Sequence, residues 1–116
     1  MPRSPRSMKR GEVYWADLMP PVGPRPVLVV GRESSLRRGT RILVAPVTTH
    51  IRDLDSDVVI EPRVGIRERS AAQCGSLLTI DRASMDSGPV ASLGEDGMEM
   101  LADALRYALD VMCPPL

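Results

Sequence analysis

Apolar and polar positions change their period along the chain, and the changes mark the elements. Glu12 to Leu18 alternates well enough to form a strand, whereas Val27 to Val30 and Ile42 to Val47 are apolar at nearly every position. Continuous runs of that length fit central strands covered on both faces, or strands of a small closed barrel. Between them, Arg32 to Arg41 is polar and contains Gly39, which reads as a long hairpin loop. Asp57 to Glu61 predicts a fourth short strand, and Ser70 to Ile80 a longer one interrupted at Gly75. From Glu95 the period moves from 2 to 3.6: Met98, Leu101, Ala102, Leu105, Ala108, Leu109 and Met112 predict an amphipathic helix over about residues 95–112, stopped by Pro114-Pro115. The prolines of Met19 to Pro26 exclude a strand there and predict a stiff loop delivering Arg25. Residues 1–8 read as a disordered basic arm, which leaves 9–113 as one domain.

The two apolar runs bring candidate chemistry together. A hairpin whose loop is centred near residue 36 or 37 pairs positions whose numbers sum to about 73, which sets Arg25 opposite Thr48 with Cβ atoms roughly 5 Å apart on one face. A slip of one residue would send them to opposite faces. In register, a permanent cation and a hydroxyl meet at the open end of a sheet, an arrangement suited to holding a phosphate.

Composition limits the partners. The chain has 116 residues and no Phe, and Tyr14, Trp15 and Tyr107 are its only aromatics, so the core must come from Val, Leu, Ile, Ala and Met. That poverty argues against sheet modules that stack bases on aromatic platforms. Fifteen basic and fifteen acidic residues cancel, so the global positive charge of a typical nucleic-acid binder is absent, although basic residues prevail through Arg52 and acidic ones after Glu95. All but Lys9 of the basic residues are Arg, which suits bidentate phosphate recognition but also follows from genome base composition. No run of about 20 apolar residues and no signal segment is present, which predicts a cytoplasmic protein without a membrane partner. Cys74 and Cys113 lack metal-ligand spacing and the chain has a single His, so no metal and no cofactor is expected and both thiols read as reduced.

Taken in order, RGEVYWADL (10–18), RPVLVV (25–30), VAPVTT (44–49) and LLTIDR (77–82) resemble the MazF/PemK/Kid toxin family of type II toxin–antitoxin systems. The resemblance implies a mainly β (α+β) fold, a small SH3-like/CcdB-like barrel of antiparallel strands with a C-terminal helix, assembled as a homodimer. It implies a metal-independent, sequence-specific endoribonuclease that cuts single-stranded RNA, including mRNA, leaving 2′,3′-cyclic phosphate and 5′-hydroxyl ends. A cognate antitoxin would neutralise it, and its action would inhibit translation and growth.

The family's two catalytic positions fall on Arg25 and Thr48, the pair that the register also selects. Arg25 keeps its proton at neutral pH, so it is a charge stabiliser or proton donor rather than a base. The base is unassigned: His50, two places after Thr48, is one candidate, and an incidental loop histidine is the alternative. Gly23, Pro24, Thr49, Gly75 and Ser76 are the expected RNA contacts. Several members of that family carry an Arg-x-Asp or an acidic residue followed by Gln before the TID block, where this chain has Gln73-Cys74-Gly75-Ser76. Gly75 reads either as a bulge admitting a nucleotide or as a plain strand residue, and Ser76 as a base-edge contact or as the same. Trp15 reads as core or interface packing, with base stacking as the alternative. The loop Met19 to Pro24 is short, which should leave the groove open. Two alternatives remain: a non-catalytic toxin of the same fold that binds a protein such as gyrase, though the ending Met112 to Leu116 lacks that family's Trp-Gly-Ile, and a degenerate member that binds RNA or antitoxin without cutting.

Overall fold

The computed structural model describes residues 8–63, 65–86 and 88–111. Among the described residues seven strands and two α-helices follow in the order β1 (Glu12–Asp17), β2 (Pro24–Val29), α1 (Glu33–Arg38), β3 (Arg41–Thr48), β4 (Asp57–Ile60), β5 (Ser70–Gln73), β6 (Leu78–Asp81), β7 (Ala91–Ser92) and α2 (Gly94–Leu109), with short 3-10 turns at Cys74–Ser76 and Arg82–Ser84. Every strand pairing is antiparallel, in the spatial order β4-β5-β3-β2-β1-β7 with β6 also on β3. The first half of β3 pairs with β6 (Ile42↔Ile80) and its end pairs with β5 (Thr48↔Ala71), so one long strand changes partner and the sheet curls into a half-barrel. The expected mainly β architecture with a C-terminal helix is therefore the observed one.

The doubly apolar runs are explained by two cores on the two sides of the sheet. Leu28, Ala45 and Val47 pack with Val13, Val58, Ile60, Ala72 and, from α2, Leu101 and Ala104. Val27, Val29, Ile42 and Val44 turn the other way, onto Tyr14, Ala16, Met8 and, from α1, Leu36. A strand buried on both faces has no polar alternation to show. Met8, assigned to the arm by the sequence reading, is buried in this second core, while residues 1–7 lie outside the described residues.

Three local expectations are corrected. The Arg32 to Arg41 stretch is not an extended loop but holds α1, because Leu36, 1% exposed, anchors a short helix on the second core. One apolar residue in six gives no period to read. Pro24 and Pro26, expected in a loop, belong to β2. The Leu18 N–H bond to Gly23 O (3.1 Å) sets the alternation along β1 and β2, so both proline nitrogens turn away from β1 towards the side where the β2–β3 ladder has already ended. No ladder bond is lost there. The helix α2 closes at Leu109 rather than near Met112: Asp110 takes φ +55° and Val111 N–H donates to Arg106 O (2.9 Å). Met112, Cys113 and Pro114-Pro115 lie outside the described residues.

Several arginines act as backbone staples. Arg82 of the LLTIDR block donates to Gly39 O through Nε (3.1 Å) and Nη2 (2.7 Å), and through Nη2 to Leu36 O, satisfying carbonyls at the C-terminus of α1. Arg63 Nη1 donates to Ser92 O (2.8 Å) and Arg10 Nε to Val30 O (3.0 Å). No helix among the described residues is long and apolar enough to cross a membrane.

Candidate active site

The β2–β3 register is the one the loop length predicts: Val27↔Pro46, Leu28↔Ala45 and Val29↔Val44. Continued by two residues it sets Arg25 against Thr48, but the ladder stops first. Arg25 stays with β1, beside Ala16, while Thr48 joins β5, beside Ala71. A cleft of about 540 Å³ opens where the strand ends part, within the range of small-ligand sites. Arg25, Thr48 and Thr49 line it from the strand ends, Trp15 from β1, and Arg67 and Glu68 from the segment before β5.

The polar groups of the cleft are poised rather than satisfied. Arg25 is exposed and engages no hydrogen bond or ion pair among the described residues, so its donors are available to a ligand. Thr48 Oγ1 accepts the backbone N–H of His50 (3.1 Å). That turn fixes the oxygen and uses it as an acceptor, leaving the hydroxyl proton to be donated.

The wall carrying Arg67 and Glu68 is built to be stiff. Arg63 and Ile66 exchange backbone hydrogen bonds of 2.8 and 2.9 Å around Gly65. Gly65 has φ +91°, and a Cβ there would fall 1.7 Å from Val90 O, so only glycine lets this turn seat against the segment leading to β7. Ser70 is buried and its hydroxyl donates to Glu68 O (2.9 Å), while Arg69 Nε pairs with Glu61 (3.0 Å).

Of the residues expected from the sequence, Pro24, Arg25, Thr48 and Thr49 come together in the cleft. Gly23 sits just outside its lining, in the turn joining β1 to β2, where its N–H donates to Met19 O (3.0 Å). His50 contributes its backbone N–H to Thr48, and its ring does not line the cleft. Gly75 and Ser76 occupy a single 3-10 turn between β5 and β6, so Gly75 is neither bulge nor strand, and neither residue lines the cleft. Trp15 is not a core residue: it is 41% exposed and forms part of the cleft wall. Arg67 and Glu68 were missed altogether, although the charged triplet Arg67-Glu68-Arg69 directly before the buried Ser70-Ala71-Ala72 was a visible signal of a rim.

Away from the cleft, Asp57 is held by Arg52 in a two-pronged pair (2.8 and 3.2 Å), and the hydrogen bond raises the guanidinium pKa further. Burial, reinforced by Asp57, pushes the Cys74 thiol up to about 11, so it stays protonated and unreactive at neutral pH. Among the described residues no three His, Cys, Asp or Glu side chains gather as a metal site would need.

Residues 9–109 match the model of the PemK-like, MazF-like toxins of type II toxin–antitoxin systems. The chain belongs to this toxin family. It is 39% identical over 102 residues to "Probable endoribonuclease MazF5" of Mycobacterium tuberculosis, covering 87% of this chain and 92% of that protein. It is 32% identical over 110 residues to endoribonuclease EndoA of Bacillus subtilis, covering 88% and 94%. Among solved structures, Mycobacterium tuberculosis toxin MazF-mt6 superposes with a TM-score of 0.79 at 27% identity, over 88% of this chain and all but 1% of that one (99%). A mycobacterial endoribonuclease solved with its cognate antitoxin shares the fold, with a TM-score of 0.80 at 21% identity over 93% of this chain.

Proposed function

We propose that this MazF/PemK-family protein is an endoribonuclease toxin that cuts single-stranded RNA, mRNA included, in the cleft between β2 and β3. The observation that carries the reading is a guanidinium with unengaged donors, Arg25, lining one cleft with a hydroxyl fixed as a donor, Thr48. In the reaction the ribose 2′-oxygen attacks the adjacent phosphorus, the bond from phosphorus to the 5′-oxygen breaks, and negative charge grows on the phosphoryl oxygens between these events. Arg25 and Thr48 donate hydrogen bonds to those oxygens, a contribution of about 3–4 kcal/mol for a well-placed donor. Pro24 and Thr49 border the same phosphate, and Trp15 offers a partly exposed ring face to a base. Gly23, Gly75 and Ser76 would contact nucleotides outside the cleft. Neither cofactor nor metal enters the scheme.

The same surface suits the antitoxin. A groove lined by the guanidinium groups of Arg25 and Arg67 attracts an acidic, initially unfolded peptide, which would block RNA by occupying its place. Met100, Tyr107 and Val111 leave an apolar strip exposed along and just beyond α2, and a homodimer would cover it. Action on mRNA would call for a cytoplasmic protein.

The test is cleavage of a long single-stranded RNA by purified protein in excess EDTA. Cyclic phosphate and 5′-hydroxyl ends are expected, with activity abolished by Arg25→Ala, strongly reduced by Thr48→Ala, and absent on RNA whose 2′-hydroxyls are methylated. A folded protein that leaves varied RNAs intact would overturn the reading.

A further inference from the structure

We propose that Glu68 is the base that takes the 2′-hydroxyl proton. This deepens the endoribonuclease reading and rests on it. The reaction needs a proton acceptor, and the cleft narrows the choice by chemistry. Arg25 and Arg67 carry guanidinium groups and Trp15 an indole N–H, all of which donate and none of which accepts. The hydroxyls of Thr48, Thr49 and Ser70 are no better as acceptors than the ribose hydroxyl itself, and that of Ser70 already donates to a backbone carbonyl. Among the described residues lining the cleft, Glu68 alone carries a carboxylate.

Its support fits the task. The Glu68 carbonyl is tied to the buried Ser70 (2.9 Å), and the preceding turn is seated against Val90 by Gly65. Neighbouring Arg69 is drawn off to Glu61 (3.0 Å), and Glu68 has no partner of its own among the described residues. An unpaired carboxylate on a fixed backbone keeps its lone pairs for substrate. Asp17, the acid at the end of β1, is by contrast occupied: its Oδ1 accepts Met19 N–H (3.0 Å).

The step balances without a further reactant. The 2′-O–H bond breaks and its proton passes to a Glu68 carboxylate oxygen. The 2′-oxygen forms its bond to phosphorus, the bond to the 5′-oxygen breaks with its electron pair on that oxygen, and water protonates it. Glu68 then returns its proton to solvent.

The experiment is single-turnover cleavage of one RNA of known cut site by the wild type, Glu68→Gln and Glu68→Asp from about pH 4 to 9. The charged groups lining the cleft beside Glu68 are Arg25 from β2 and Arg67 from its own segment, both guanidinium groups and permanent cations, so an acidic limb reports the carboxylate. The expected result is a wild-type rate that climbs through the carboxylate range, a loss of about 10²-fold or more in Glu68→Gln together with that limb, and partial recovery in Glu68→Asp. Glu68→Gln is isosteric at an exposed position, and an unchanged urea midpoint certifies its fold. A Glu68→Gln rate within about threefold of wild type, or a preserved acidic limb, overturns the assignment of the base while the toxin reading stands. A shifted cut sequence with the limb intact overturns it too, making Glu68 a reader of bases. A folded wild type that cuts nothing removes the parent reading instead.

Discussion

The two ends of β3 use arginine in opposite ways. Near Arg41, the guanidinium of Arg82 is filled by the carbonyls of Leu36 and Gly39, and it holds α1 in place. Near Thr48, Arg25 has nothing to hold among the described residues. A satisfied, partly buried donor contributes to stability, whereas an unsatisfied exposed one contributes only when a ligand arrives. The arginine-rich composition is therefore divided by position, and the division predicts which substitutions alter the reaction and which alter the fold.

The sharpest separation is expected at Arg25. Arg25→Ala should lower single-turnover cleavage on the order of 10²–10³-fold or more, the cost of losing a preorganised donor. Its unfolding free energy should stay within about 0.5 kcal/mol of wild type, as for an exposed side chain without partners. Urea unfolding on the same preparation checks the second half. A large loss of stability would put Arg25 on the structural side with Arg82.

Gly65 is where the division should fail. Its Cβ would collide with Val90 O in a turn that also carries the cleft wall, so Gly65→Ala is expected to cost about 2–4 kcal/mol of stability and to lower cleavage by the protein that remains folded. Arg82→Ala comes next. Leaving the carbonyls of Leu36 and Gly39 unpaired should cost about 2–3 kcal/mol in urea unfolding, with the cleavage rate per folded molecule within about twofold of wild type.

The sequence disclosed the cleft end better than the far end, for a physical reason. The register that aims Arg25 at Thr48 follows from loop length and strand runs alone, because antiparallel register is arithmetic, and Val27↔Pro46 bears out that register although the ladder ends before Arg25 and Thr48 could pair. The parting of the strands beyond that pair is a property of the curled sheet, and no local pattern announces it. The helix α1 escaped because Leu36 is its single buried side chain, and β2 was truncated because its prolines lose nothing at an unpaired edge. Arg82 looked like a motif residue and is a helix cap. Glu68 and Trp15 became site residues only through folding, since the segments that carry them lie more than fifty residues apart in the chain and meet at one opening.

Cys74 lies on the structural side of the comparison. Its thiol is raised from 9.0 to about 11 in the folded protein, so the stability associated with keeping it protonated is complete below about pH 9 and is lost as pH rises through 11. The loss is at most roughly 3 kcal/mol, two units at about 1.4 kcal/mol each. Since Cys74→Ala removes the thiol, the gap between wild-type and variant unfolding free energies should narrow across that window and stay constant below it. A gap that never changes with pH would show that the thiol ionises alike in the folded and unfolded chains.

His50 gives the smallest effect and the finest division, because its two halves belong to different sides. The ring does not line the cleft, while the backbone N–H orients Thr48 Oγ1 at 3.1 Å. His50→Gln keeps that N–H, so cleavage from pH 5 to 8 should stay within about twofold of wild type, with the same slope. His50→Pro removes the donor and frees the Thr48 hydroxyl to turn. One lost hydrogen bond of about 0.5–1.5 kcal/mol corresponds to a rate reduction of at most roughly tenfold, with the urea midpoint as the control for the fold. If His50→Gln instead flattens the pH profile, the ring handles protons after all, and Glu68 loses its claim to be the sole acceptor at this end of β3.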